Sequence, residues 1–285
     1  MKNIGFIGVG YMGYGIAKNI LKHKNKLFVI ANKNRKPIDK IISEGAEEVK
    51  SYEDFSNKNL DALFMCVTNT PIAKSISEKL SSILADKTIV IDITTHNKTG
   101  SVETEAIFKS NNINYVECPV MGGPVQAEEG VLGGIIGASD KNFKIAEPYF
   151  KIYCKDYFHF GPVGMGAKSK LLNNFLTLGN AALINHMAKS AKNLGLDLNK
   201  LYDVAKLGSG NSAALIRIFD NLLKGDYTGF KFTASNSVKD LTYIKDLLKD
   251  FPEAEKVAEL NKNYFQKAVD EGYGENFISE LINKK

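Results

Sequence analysis

The chain has no tryptophan, only three cysteines and only four histidines among its 285 residues. Cys66, Cys118 and Cys154 are odd in number and far apart, which offers neither a disulfide framework nor a thiolate metal site. Each reads as a small core hydrophobe. His23, His96, His159 and His186 show no i, i+4 pairing and no H-E-x-x-H spacing, so no metal is expected. No run approaches the ~18 consecutive apolar residues of a conventional membrane span, and neither low-complexity segments nor useful repeats occur. Strong charge of either sign is also lacking. A net charge of +5 with scattered lysines suits an anionic small ligand, and it is the only support for a nucleic-acid role, which is not expected.

What is present is a chain long enough for two domains, with 44% hydrophobic residues to pack their cores. Met1-Lys2-Asn3 leads straight into the strand-like Ile4–Ile7, leaving no room for a signal peptide, so a cytoplasmic protein is expected. Lys2–Ile7 alternates into Gly8-Val-Gly-Tyr-Met-Gly13, after which Gly15–Lys22 has helical spacing. Strand, G-x-G-x-x-G turn and helix in that order form a dinucleotide-binding arrangement. Gly8 permits the tight turn, Gly10 lets the backbone approach a pyrophosphate, and Gly13 lets helix and strand pack closely. The amino end of the helix then faces the phosphate with unpaired N–H groups.

A second strand, Leu27–Ala31, is followed by Asn32-Lys33-Asn34-Arg35-Lys36. An NAD enzyme usually places Asp or Glu there to accept from the ribose hydroxyls. Asn32 and the basic residues after it would instead welcome a 2′-phosphate, so NADP(H) is expected. The plain alternative is a solvated basic loop. Asp61–Val67 and Thr88–Asp92 read as buried parallel strands, with helices at Ile72–Leu84 and Gly100–Ser110. In an open α/β sheet the carboxyl ends of such strands line the ligand crevice, which puts Val67, Thr68 and Thr95 near the cofactor. His96, alone after a strand, reads as a loop residue rather than a catalyst.

The segment Tyr115–Leu132 follows, and its Gly122-Gly123 can present backbone N–H groups as an anion nest, although a plain turn before Pro124 would explain the pair equally well. Gly130–Gly137 and Tyr157–Phe160 are short strands that end the sheet domain. Beyond Gly161 the pattern is helical: Lys168–Leu194, Asn199–Leu207, Ala213–Lys224, Ser235–Lys249 and Glu253–Glu271. The expected fold is α/β, a Rossmann-type doubly wound sheet over 1–162 followed by an all-helical domain over 163–285, joined by a long helix. On that helix Lys170 and Asn174, four residues apart, project from one face among leucines. A lysine so placed is by itself most simply a solvated surface residue.

Four separated segments together resemble one family, the β-hydroxyacid dehydrogenases, a group that includes 3-hydroxyisobutyrate dehydrogenase and the semialdehyde reductases. They are Gly8–Gly13 with Asn19 after it, Glu117–Leu132, Gly161–Asn174 and Lys239-Asp240-Leu241. The resemblance implies that Lys170 is the catalytic lysine with Asn174 holding the substrate beside it. It implies that Gly122 and Gly123, next to Met121, cradle the substrate carboxylate, and that Lys239 closes over cofactor and substrate. Cofactor contacts are expected from Gly8, Gly10, Tyr11, Met12, Gly13, Asn32, Lys33, Arg35, Val67, Thr68, Thr95 and Lys239. Relatives commonly have serine where this chain has Met121, which removes a hydroxyl from the pocket and suggests a bulkier or less polar acid.

The chemistry agrees. Reduction of an aldehyde leaves negative charge on oxygen, which a lysine ammonium can stabilise and then protonate. Burial would draw the lysine from ~10.4 towards neutrality, so that it works in both directions. The expected activity is the NADP-dependent interconversion of a small anionic β-hydroxyacid, 3-hydroxyisobutyrate-like, and its semialdehyde. A glyoxylate or succinic semialdehyde reductase, an imine reductase and a non-catalytic NADPH-binding module are the alternatives. A homodimer or homotetramer is expected from the resemblance and from a helix of ~40 Å, longer than one small domain needs.

Overall fold

The structure is a computed structural model that describes residues 1–32 and 34–284. The chain divides into two compact units, Met1–Lys170 and Leu171–Lys285. The division falls inside a helix rather than at 162/163, because the first residues of that helix pack with the sheets.

The first unit opens with β1 (Asn3–Ile7), α1 (Tyr11–Lys22), β2 (Lys26–Ile30), α2 (Lys36–Ser43) and β3 (Glu47–Val49), then a 3-10 turn at Glu53–Lys58. It continues with β4 (Ala62–Met65), α3 (Thr70–Leu80), β5 (Ile89–Asp92), α4 (Gly100–Lys109) and β6 (Asn114–Glu117). These six strands form one parallel sheet in the order β3-β2-β1-β4-β5-β6. Period-two alternation sends Ile4, Phe6, Phe64 and Ile91 to one face, where they pack with Ile16 and Ile20 of α1. Ile7, Leu63, Met65 and Val90 go to the other face, with Ile76 and Leu80 of α3 and Phe108 of α4. Both faces are covered, as a doubly wound sheet requires.

The strands after β6 do not extend this sheet. β7 (Val120–Met121), β8 (Leu132–Ile136) and β9 (Cys154–His159) form a separate three-stranded sheet, antiparallel between β7 and β8 and parallel between β8 and β9. Two helices that the sequence reading lacked, α5 (Pro124–Glu129) and α6 (Asp140–Phe150), flank β8. Also unexpected were α2 and β3: the one is only eight residues long and the other three, too short to show a period.

α7 (Met165–Asn193) crosses the division between the units. The second unit then holds α8 (Leu198–Leu207), α9 (Ala213–Leu222), α10 (Ala234–Leu247) and α11 (Pro252–Ala268), with a π turn at Val269–Tyr273 and a 3-10 turn at Ile278–Asn283. Its core gathers Leu171, Leu178, Ile218, Phe219, Leu241, Ile244 and Phe265. Ser212 and Thr233 cap α9 and α10 through their hydroxyls. Among the described residues no helix is long and apolar enough to cross a membrane.

Candidate active site

The glycine turn between β1 and α1 is built for an anion. Gly8 has φ +97°, and a Cβ there would lie 2.1 Å from the Cys66 carbonyl oxygen, so only glycine fits. A Cβ at Gly13 would lie 2.1 Å from the Gly8 oxygen. At Gly10, by contrast, a Cβ would meet nothing within 4 Å, which leaves open space directly over the helix start. Gly10 caps α1 without a side chain, and the first turn carries no acidic residue. Amide donors, the positive helix end and an unfilled cradle together fit the pyrophosphate of a dinucleotide. Tyr11 is exposed and Met12 half-buried at the rim of this turn. Asn19 has a different role: its Nδ2 donates to the carbonyls of Gly15, Ala127 and Glu128 and ties α1 to α5.

Asn32 lies exposed just past β2. Lys33 falls outside the described residues. Arg35 is exposed but engaged: it donates to both carboxylate oxygens of Glu48 at 2.6 and 3.1 Å and to Asp39 at 2.7 Å. To meet a 2′-phosphate it would have to exchange these partners. Val67 donates its N–H to Thr94 Oγ1 at 3.2 Å, linking the ends of β4 and β5, next to the exposed Thr68 and half-buried Thr95.

His96 is interior scaffold. Its Nε2 lies 2.8 Å from Asp92 Oδ2, which also accepts from the Tyr115 hydroxyl at 3.0 Å, and its Nδ1 lies 3.2 Å from Thr70 Oγ1. All four side chains are buried. The sequence did carry a signal for this network, the i, i+4 spacing of Asp92 and His96, but the third and fourth members come from other elements.

In the first unit Lys170 meets the segment that follows β6. Lys170 Nζ donates to the Val120 carbonyl at 2.8 Å and to Met121 Sδ at 3.3 Å. Gly122 follows with φ +118°, where a Cβ would strike Leu132. Gly123 already donates its N–H to Gln126 Oε1 at 2.9 Å, so that amide can meet a substrate carboxylate only by giving up the bond. Glu117, four residues before Met121, is wholly buried, and its Oε1 accepts from Gly164 and Gly166 at the start of α7.

In the second unit Asn174, buried and one turn beyond Lys170 on α7, donates to Asp240 Oδ2 at 2.7 Å. Lys239 Nζ lies 3.0 Å from Asp240 Oδ1, an ion pair by distance although its angle is not that of a hydrogen bond. Asp240 therefore holds both of its neighbours. In the sequence Asp240 stands out only as the middle of the Lys239–Leu241 motif, and the packing of α10 against α7 is what brings it to Asn174. Among the described residues no group of three His, Cys, Asp or Glu could hold a metal ion.

A parallel sheet of this strand order, with a helix that no side chain caps over a glycine turn at the β1/β4 switch point, is the architecture of a dinucleotide-binding domain. Comparison with known proteins sharpens this. Residues 3–161 match the family model described as the NAD binding domain of 6-phosphogluconate dehydrogenase, and residues 164–284 match that of NADP-dependent 3-hydroxyisobutyrate dehydrogenase. The chain belongs to the β-hydroxyacid dehydrogenase family.

Similar proteins include 2-(hydroxymethyl)glutarate dehydrogenase of Eubacterium barkeri, 25% identical over 79% of this chain and 76% of that protein. An NAD-dependent L-serine dehydrogenase of Pseudomonas aeruginosa is 25% identical over 98% and 96%. The solved 3-hydroxyisobutyrate dehydrogenase of Mycobacterium tuberculosis, with L-serine, has the same fold, with a TM-score of 0.87 at 20% identity over 99% of this chain and 98% of that one. The chain is thus an oxidoreductase of the β-hydroxyacid dehydrogenase kind that uses a nicotinamide cofactor.

Proposed function

We propose that the protein interconverts a small, anionic, 3-hydroxyisobutyrate-like β-hydroxyacid and its semialdehyde with NADP(H), and that Lys170 handles the proton. The observation that carries this reading is the place of the Lys170 amine. It is bonded to the Val120 carbonyl and the Met121 thioether, immediately before the Gly122-Gly123 loop. A bound nicotinamide supplies or accepts the hydride at the substrate carbon. Lys170 stabilises the charge on the substrate oxygen and gives it a proton on reduction, or takes one on oxidation. Asn174, held by Asp240, keeps the role that the family resemblance implies for it, binding the substrate. Asn32 after β2 supports NADP(H), because no carboxylate stands there to repel a 2′-phosphate.

The test is a spectrophotometric panel of glyoxylate, succinic, methylmalonate and tartronate semialdehydes and glyceraldehyde with NADPH, repeated with NADH. Turnover of at least one acid semialdehyde is expected, and it should vanish in both Lys170→Ala and Lys170→Arg while NADPH still binds. Near-normal kcat in either variant refutes the role of Lys170. A preference for NADH above ~10-fold refutes the reading of Asn32.

The working form we propose is a homodimer or homotetramer. Leu172, Leu176 and Leu183 share one face of α7 and are 49, 65 and 68% exposed, an apolar stripe that water does not favour.

A further inference from the structure

Glu117 ends β6 with its carboxylate entirely inside the protein, and the reaction outlined above does not use it. Its Oε1 accepts from the Gly164 N–H at 2.6 Å and the Gly166 N–H at 2.8 Å. The Ala167 N–H also acts on the carboxylate. These amides belong to the approach and first turn of α7, where no helical carbonyl precedes them to accept. Glycine makes room for the carboxylate twice: a Cβ at Gly137 would lie 2.0 Å from Oε1, and one at Gly166 would lie 3.0 Å from it. A second tie joins the same two segments in the opposite sense. Lys170 Nζ, one turn beyond Gly166, donates to the carbonyl of Val120, three residues beyond Glu117. The stretch 117–121 and the start of α7 are therefore linked at both ends, carboxylate to amides and carbonyl to amine.

We propose that Glu117 is a positioning residue for Lys170: its carboxylate fixes the height and rotation of the first turn of α7, and with them the place of the amine beside Met121–Gly123. The catalytic meaning of this placement rests on the reading of Lys170 as proton donor. A carboxylate at a helix amino end is favoured by the helix dipole and by charge-assisted bonds to the amides. Burial makes the arrangement rigid, because a displaced carboxylate would lose those bonds without gaining water. Burial raises the Glu117 carboxyl above the ordinary carboxylate range, and the Ser101 hydroxyl and the three amides partly draw it back. The Ser101 hydroxyl acts by proximity, since neither its Oγ nor Glu117 Oε2 makes a hydrogen bond of good geometry.

A carboxylate that served only stability would leave the surroundings of the lysine amine unchanged in any variant that folds. The full-length protein is reductively methylated with 13C-formaldehyde, and the Lys170 resonance is assigned by its loss in Lys170→Arg. At neutral pH, Glu117→Ala is expected to move that resonance, while Glu117→Gln, which keeps an acceptor at Oε1, restores the parental position. NADP+ affinity, read by cofactor fluorescence or calorimetry, should stay within about twofold in both variants, since the glycine turn of α1 is untouched. A parental resonance in Glu117→Ala, or an equal displacement in Glu117→Gln, overturns the proposal. If Glu117→Ala does not fold, Glu117→Asp serves, because it keeps the charge one methylene short of the amides. An unmoved resonance there overturns the proposal too.

On any panel substrate whose turnover Lys170→Ala abolishes, Glu117→Ala should lower kcat about 10- to 100-fold, with KM changed less than about threefold. An unchanged kcat overturns the proposal. If Lys170→Ala leaves turnover intact, the proton-donor reading fails instead, and the resonance comparison still decides whether Glu117 positions the amine.

Discussion

Arg35 and Glu48 illustrate how a residue's type and its availability differ. The sequence offers Arg35 as a phosphate ligand, but in the folded chain its guanidinium grips Glu48 through two bonds and Asp39 through a third. That pairing holds the Glu48 carboxyl below the usual carboxylate range. Arg35 is exposed and Glu48 half-buried, so water screens the pair and it is exchangeable. Glu48→Gln should therefore loosen Arg35, which Asp39 still holds, and tighten NADP+ binding several-fold relative to NAD+, read by titration calorimetry. Unchanged selectivity would mean that Arg35 does not reach the cofactor. Gly13 is a simpler case, because the oxygen its Cβ would strike belongs to the backbone and cannot rotate away. Gly13→Ala should cost about 1–3 kcal/mol in urea unfolding and weaken cofactor binding as the glycine turn opens.

Helix ends are where the elements are most exposed to pH. Asp197 caps α8, accepting from the Asn199 N–H at 2.8 Å and the Lys200 N–H at 3.3 Å, and these bonds lower its pKa. A carboxyl with a lowered folded pKa adds stability that is present above its unfolded pKa and is lost as pH falls through the folded value. Asp197→Ala should therefore lower Tm at neutral pH, with the gap to the parent closing in acid, below about pH 4. A gap that persists at pH ~2 would show that the cap works through something other than the charged carboxylate. Glu117 has the opposite sign. Its folded pKa is raised, so its linkage contribution is present below the ordinary carboxylate pKa and is lost as pH rises through the raised value. Its ties to the first turn of α7 thus hold position at some cost in stability near neutrality, as is reasonable for a group whose use is geometric.

For the whole molecule, the exposed leucines of α7 lead to the expectation that the chain does not remain a 31.4 kDa monomer. Light scattering at micromolar concentration should give the mass of a dimer or a tetramer. Leu176→Glu combined with Leu183→Glu should shift that mass towards the monomer, since charges on a buried apolar stripe oppose association. A monomeric parent would refute the expectation directly. Two cores, one about the sheets and one among the helices of the second unit, account for a chain of this length folding without a disulfide among the described cysteines.

The sequence by itself determined the parallel sheet, the glycine turn and the helical second half. These follow from local rules: alternation in Lys2–Ile7, the apolar runs within Asp61–Val67 and Thr88–Asp92, the φ and clearance demands at Gly8 and Gly13, and helical spacing beyond Gly161. The placement of Lys170 and Asn174 on one helix was legible for the same reason. Only the tertiary structure decided which groups hold them. Glu117 reaches the start of α7 across 47 residues of sequence, and Asp240 reaches Asn174 across 66. Periodicity extends over a few turns or a few strand residues, whereas these bonds depend on how separate elements pack. Likewise Gly130–Gly137 and Tyr157–Phe160 look like further strands of one sheet until the pairing of β8 and β9 with β7 shows a second. Register and partner choice are settled between strands, not within them.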